Sequence, residues 1–270
     1  MDQRIKNVCN YCHIIRNKIA EGGQSTIYLC DYNNSKCIRT IPIDRQWKHI
    51  KNEIIVSDFA SKLTENVTPN FIYTYEFTYC KDTNSIHQIV DKYDGDIDKF
   101  NLEGRNDFLI QILTSIYCLM RKGIRHNDIK AKNILYKKLD EPINITYKFR
   151  NKYFNIVTDN ILVLTDFGIS QRCPELKGQF ECNPWMNMKD FISLLKIFHI
   201  EYDKHTKCHL SYEESIISVS DYLYDLLINC EINVLENNKT YDLDTELPEL
   251  DVNEVLKCFD KKLIGLYLLF

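Results

Sequence analysis

A carboxylate, a cation and an amide oxygen stand close together in the run Arg125-His126-Asn127-Asp128-Ile129-Lys130-Ala131-Lys132-Asn133-Ile134-Leu135-Tyr136. Asp128 supplies a carboxylate able to accept a proton from a hydroxyl. Lys130 sets a positive charge beside it, where a transferring phosphoryl group needs its charge neutralised. Asn133 offers a carbonyl oxygen of the hard type that Mg²⁺ takes. Downstream, Leu164-Thr165-Asp166-Phe167-Gly168 adds a second carboxylate at the end of an apolar run. The chemistry that these residue types share is transfer of a phosphoryl group to a hydroxyl.

The order and spacing of the two runs match H-R-D-x-x-x-x-N followed by D-F-G. The chain resembles the eukaryotic protein-kinase superfamily over roughly its first 200 residues. That resemblance implies an α+β fold of two lobes, with an antiparallel sheet and one helix in the first and mostly helices in the second. The lobe boundary is expected near Asp94-Gly95, giving 1–94 for nucleotide binding and 95–270 for catalysis. It also implies ATP and Mg²⁺ as cofactors. In those terms Asp128 is the base that orients or deprotonates the hydroxyl, Lys130 steadies the phosphoryl group, and Asn133 and Asp166 hold metal. Lys130 is typical of serine/threonine kinases, so the expected partner is a protein substrate with Ser or Thr.

Other segments must position these groups. Ile14 to Cys30 reads as two strands around Glu21-Gly22-Gly23-Gln24-Ser25. With Ile27 aligned to the last valine of the glycine-rich loop, Ala20, Gly22 and Ser25 occupy its glycine positions, and Gly23 adjoins them. Glycine there lets backbone amides approach phosphates closely. Ala20-Glu21-Gly22-Gly23 is similar to the Numb-associated kinases. Lys36 to Pro42 resembles the third kinase strand, with Cys37 over adenine and Arg39 where kinases carry lysine. Arginine keeps the charge in a longer, forked group. Asp44 to Leu63 has helical periodicity, and Glu53 matches the glutamate that pairs with the strand cation. Ser57 stands one turn later, where kinases prefer an apolar side chain.

Strands are expected over Phe71 to Tyr79 and Ile86 to Val90, separated by a turn at Lys81-Asp82-Thr83-Asn84. Asp91-Lys92-Tyr93-Asp94-Gly95 resembles the hinge, with the backbone of Asp91 and Tyr93 meeting adenine and Val90 as gatekeeper. Asn106 to Lys122 is an apolar helix stopped by Gly123. Leu135 follows the catalytic loop and belongs to the nucleotide-contacting set. Ile143 to Ile156 alternates as an extra hairpin around Arg150-Asn151. Asp190-Phe191-Ile192-Ser193-Leu194-Leu195 looks like the long central helix whose aspartate braces the catalytic loop. The activation segment, Ile169 to Lys189, is therefore short, as in haspin-like atypical kinases. Asn127 replaces the arginine that grips a phosphorylated activation loop, which implies competence without loop phosphorylation. Tyr212 to Leu227 and Asp251 to Phe270 read as helices, and Asn237 to Glu249 as a polar loop.

Composition narrows the classes. The net charge is −4 over 270 residues, which gives no argument for nucleic acid. No run is long enough to span a bilayer. Without an apolar leader after Met1, the eleven cysteines are expected as reduced thiols in a cytoplasmic compartment, host cytoplasm or virion if viral. Cys9-Asn10-Tyr11-Cys12-His13 matches the haem-attachment pattern in letters alone. Thin glycine, abundant Asn, Ile, Lys and Tyr, and a compressed large lobe resemble kinases of large DNA viruses. Two other readings remain open: a pseudokinase that senses nucleotide or acts as a scaffold, and a small-molecule phosphotransferase sharing the Asp…Asn…Asp core.

Overall fold

A computed structural model describes residues 15–21, 25–30, 35–43, 47–80, 84–172, 188–201, 210–232 and 239–250. Gly22, Gly23, the Cys9–His13 run, most of the activation segment and Asp251 to Phe270 lie outside them. The fold is mixed α+β, with three largely antiparallel sheets, one of them only two short strands, and four helices among the described residues. The described residues fall into two units. One is drawn from Met1–Ser61, Ile72–Lys92 and Glu249–Phe270, the other from Lys62–Phe71 and Tyr93–Pro248.

The first unit is a five-stranded sheet in the order β1-β2-β3-β5-β4. Its strands are β1 (Ile15–Glu21), β2 (Thr26–Cys30), β3 (Lys36–Pro42), β4 (Thr74–Cys80) and β5 (Ser85–Asp91). The expected Phe71 start is late by three residues, because Phe71 makes only an isolated bridge to Leu164 in the other unit's own set of residues. Helix α1 (Trp47–Leu63) lies on one face. Ile50 and Ile54 of the helix pack with Ile41 and Ile86 of the sheet, and Ile43, Phe77 and Tyr79 close the cluster. Alternate sheet residues supply this face, as a period of two requires.

On the opposite face Thr40, His87 and Thr78 form one cross-strand row, and His87 and Thr78 are almost wholly buried. His87 bonds Ser85 through Nε2, while Nδ1 has no hydrogen-bond partner among the described residues. Burial holds its imidazole below the ordinary 6.5. The unfolded chain therefore takes up the proton first as pH falls. The contribution is complete above the unfolded value near 6.5 and declines below it, toward the folded value. Melting curves from pH 8 to pH 5 should show the midpoint of wild type falling relative to that of His87→Asn as the solution is acidified. A constant gap would contradict this account.

The second unit is built on α2 (Asn106–Arg121) and a long hairpin, β8 (Ile134–Phe149) with β9 (Lys152–Leu164). Every residue of α2 from Phe108 to Met120 is buried. Gly123 ends the helix at φ +69°, a left-handed position that glycine adopts without a Cβ penalty, and its N–H reaches the Met120 carbonyl at 2.9 Å. The expected extra hairpin is not separate. It prolongs β8 and β9 themselves, interrupted by an irregularity between Lys138 and Ile143. Arg150 and Asn151 turn it at φ +50° and +60°, and their positive φ values favour a two-residue turn matched to strand twist.

Short strands extend this sheet to β11-β9-β8-β12, where β11 is Glu231–Ile232 and β12 is Thr240–Asp242, paired parallel to β8, and β6 (Gly95–Asp96) also pairs with β8 at its start. The stretch expected as a polar loop thus contains a strand, and its Leu243 and Leu247 are buried. Tyr147, Phe149 and Phe154 turn inward; Phe149 meets Tyr117 of α2, and both Phe149 and Phe154 meet Tyr224 of α4 (Tyr212–Leu227). Helix α4 begins with a capping box between Ser211 and Glu214. The expected long central helix is short: α3 runs only Lys189–Ile197. Cys37, Cys118 and Cys230 are not in disulfides, but Cys80 is, which corrects the expectation of wholly reduced cysteines.

Gln111 organises the polar interior of the second unit. Its side-chain oxygen accepts from Asn70 Nδ2 and from the Leu162 N–H, and its amide donates to Thr158 Oγ1 and the Asn160 carbonyl. Asn70 in turn accepts from Thr68 and from the Tyr147 hydroxyl. Gln111→Leu fills the space but orphans several of these groups, each of which costs about 1–3 kcal/mol when buried without a partner. The variant should lose about 3 kcal/mol in urea denaturation, and a loss under about 1 kcal/mol would mean that the network relaxes freely.

Candidate active site

The second unit gathers Asp128, Lys130, Asn133 and Asp166. Two strand ends bring them there. Ile134 opens β8 and pairs with Leu164 at the end of β9. Thr165 N–H then reaches the Asn133 carbonyl at 3.0 Å, which sets Asp166 beside Asn133. Ahead of β8, Ala131–Asn133 forms a 3-10 turn that begins at Lys130.

Asp128 is held on one side. Its Oδ2 accepts from Lys130 Nζ at 2.5 Å and from Asn133 Nδ2 at 2.9 Å, and Asn133 Nδ2 also reaches the Asp128 carbonyl. Among the described residues nothing donates to Oδ1, which leaves that oxygen to receive a proton. Asn133 donates through its nitrogen, so its Oδ1 is the atom left for a cation. Asp166 sits at φ +69°, a left-handed conformation that Asp adopts more readily than most residues. These are oxygen donors on adjoining strand ends, which fits a hard cation such as Mg²⁺.

The loop is braced from behind by Asp190 in the first turn of α3. Its two oxygens accept the N–H groups of His126 at 2.6 Å and Asn127 at 2.9 Å. His126 is fully buried; its Nε2 faces the Thr165 carbonyl and its Nδ1 accepts the Asp128 N–H. These contacts fix the tautomer with hydrogen on Nε2. His126 also stacks edge-on to Phe167, which touches Phe71. One histidine therefore links the Asp128 loop to the Asp166 turn. Ser170, the nearest hydroxyl after Gly168, is 2% exposed and out of reach of a modifying enzyme.

The remaining residues of the second unit are placed as follows. Leu135 pairs with Asp96 and Val163, and Tyr93 is half-buried just before the Asp94 N–H bonds Tyr136. In the first unit, Ala20 pairs with Ile27, and Ile27 pairs with Arg39 on the next strand. Cys37 pairs with Val90, and both are buried. Asp91 pairs with Lys36 in register and bonds it at 2.5 Å, while the Tyr75 hydroxyl donates to the same carboxylate. Lys36 also lies 3.4 Å over the Tyr75 ring. Desolvation opposes its charge, but the hydrogen bonds and charge of Asp91 win and raise its pKa. Sequence reasoning missed this Lys36–Tyr75–Asp91 cluster, and the alternation of the two strands gives no signal for it.

Arg39 and Glu53 do meet. Arg39 Nη1 is 2.5 Å from Glu53 Oε1, and both side chains are buried. Arg39 also donates through Nε to Ser25 Oγ and through Nη1 to Gln88 Oε1, and Ser57 donates to the Glu53 carboxylate. The polar Ser57 thus has a use on this helix face. Removing one partner of a buried pair strands the other charge and costs about 3–5 kcal/mol. Arg39→Ala should therefore lower stability by about that amount, while Arg39→Lys should keep most of it; thermal and urea unfolding would check both. Equal stability of the alanine variant and wild type would show that the pair carries no net weight.

No protein-family profile matches the chain. It is 22% identical to the uncharacterized protein 179R of Invertebrate iridescent virus 6, over 94% of the chain and 22% of that protein. It is 29% identical to the probable serine/threonine-protein kinase 380R of the same virus, over 40% of the chain and 25% of that protein. The chain thus spans about a quarter or less of the length of the curated relatives it matches. The relationship is kinase-like and partial. No helix among the described residues is long and apolar enough to cross a membrane.

Proposed function

We propose that the chain is a serine/threonine protein kinase domain, transferring the γ-phosphoryl group of ATP to a protein hydroxyl. One observation carries the reading: the Asp190 carboxylate grips two consecutive backbone N–H groups and so holds Asp128 at the end of a braced loop, with Asn133 and the Asp166 turn fixed alongside. The partial likeness to a probable viral serine/threonine kinase supports it.

In this reading Oδ1 of Asp128 accepts the hydroxyl proton. The hydroxyl oxygen forms its bond to the γ-phosphorus as the bond from phosphorus to the bridging oxygen of ADP breaks. Lys130 stands within reach of Asp128 Oδ2 and offsets negative charge at that point. Asn133 and Asp166 are the residues that would hold Mg²⁺, which when bound neutralises the phosphate oxygens. Arg39, paired with Glu53, would hold phosphate oxygens of the nucleotide. Binding of adenine would use backbone at Asp91 and Tyr93, so it demands no particular side chains there.

A transfer assay with radiolabelled ATP, Mg²⁺ and generic protein substrates tests this. Asp128→Asn should reduce transfer by about 10²–10⁴-fold while nucleotide still binds. Equal transfer by the variant would reject Asp128 as the base. A pseudokinase reading has one observation in its favour, that the Arg39 fork already faces Glu53, Ser25 and Gln88. It expects no transfer from wild type, Arg39→Lys or Arg39→Ala, whereas the kinase reading expects Arg39→Lys to equal or exceed wild type.

A further inference from the structure

Asn127 adds a second tie between the loop and the backbone after Asp166. It stands at φ +68°, where asparagine is among the few side chains that sit without much strain. Its N–H goes to Asp190 Oδ1, and its carbonyl accepts from Lys189 Nζ at 3.0 Å. Its side chain points the other way: Nδ2 donates to the Ile169 carbonyl at 3.2 Å. Ile169 follows Gly168 directly and leads into β10 (Gln171–Arg172), which pairs with β7 (Ile124–Arg125) just before the loop. Because Ile169 presents only an acceptor, the amide must present nitrogen to it, and a carboxylate in its place would repel.

We propose that Asn127 is a positioning residue for phosphoryl transfer, tying the backbone after Asp166 to the loop that carries Asp128 through a neutral amide clamp. This rests on the kinase reading above. The clamp keeps the Asp166 turn and the Asp128 loop in one arrangement, with no charged group and no modification of the segment required. Lys189 and Asp190 hold the backbone of Asn127, so the side chain has a fixed origin from which to reach Ile169. Ser170, buried beside it with its hydroxyl toward the His126 carbonyl at 3.5 Å, completes the closure.

Two variants that tolerate positive φ test the clamp without adding backbone strain. Asn127→Gly removes the donor, and Asn127→Asp keeps the shape but replaces the donor with an acceptor. Each should lower kcat by about tenfold or more, the aspartate further, with KM for ATP within about twofold of wild type; the lower figure corresponds to one lost hydrogen bond. Hydrogen exchange in peptides covering Ile169 to Arg172 should speed up by about tenfold in Asn127→Gly, with nucleotide absent. Unchanged kcat with unchanged exchange would overturn the proposal. A rise of KM for ATP that accounts for the loss would overturn it as well, by making Asn127 a nucleotide-binding residue. If wild type itself transfers no phosphate, the kinase reading fails and the catalytic role of Asn127 with it; the exchange measurement then decides separately whether the clamp exists.

Discussion

The second unit depends on one carboxylate. Asp190 is buried, and its charge is compensated by two backbone N–H groups of the loop, a charge-assisted arrangement stronger than hydrogen bonds between neutral groups. The loop has little regular structure of its own to hold it. A two-residue strand precedes Asp128 and a single 3-10 turn follows. Without Asp190 the N–H groups of His126 and Asn127 would be left to seek partners in a largely dry interior. The fixed backbone then fixes the rest: Asn127 takes its left-handed conformation, His126 reaches across to Thr165, and Asp128 emerges with one oxygen tied and the other presented.

A second constraint is the covering of the buried helix α2. α3 has nine residues, and α2 is buried along most of its length, so other surfaces must cover it. The long hairpin does so. By continuing β8 and β9 well past the Asp128 loop, the chain lays Tyr147, Phe149 and Phe154 inward and lets α4 close over them. Polar side chains come with the arrangement, and the Gln111 network satisfies nearly all of them. The same two strands thus perform two tasks, positioning Asn133 and Asp166 at one end and building core at the other.

The departures from the kinase pattern have local physical answers. Arg39 replaces lysine, yet its forked group finds Glu53, Gln88 and Ser25 at once, which a lysine could not match with the same planar geometry. Ser57 replaces an apolar residue and hydrogen-bonds the same glutamate. Asn127 stands where the kinase pattern has arginine, at a position of positive φ where the short amide is well tolerated and its side chain finds the Ile169 carbonyl.

The sequence by itself determined the elements whose signal is local. Periodicity located α2 and α4, Gly123 marked the end of α2, and Arg150-Asn151 marked a hairpin turn, because caps and turns need particular backbone conformations that few residues adopt. The run from Asp128 to Asn133 was legible as a local motif, whereas Asp166, 33 residues further on, meets Asn133 only through the pairing of β8 with β9. Only the tertiary structure decided which groups those residues face. It joined the expected extra hairpin to the strands that flank Asn133 and Asp166, shortened α3, drew Thr240–Asp242 into the sheet, and assembled Gln111 with partners from distant segments. It also showed that the nitrogen of Asn133 is engaged by Asp128 and that Asn127 reaches Ile169. Contacts of this kind are set by burial and by the need to satisfy buried polar groups, and neither leaves a period in the sequence.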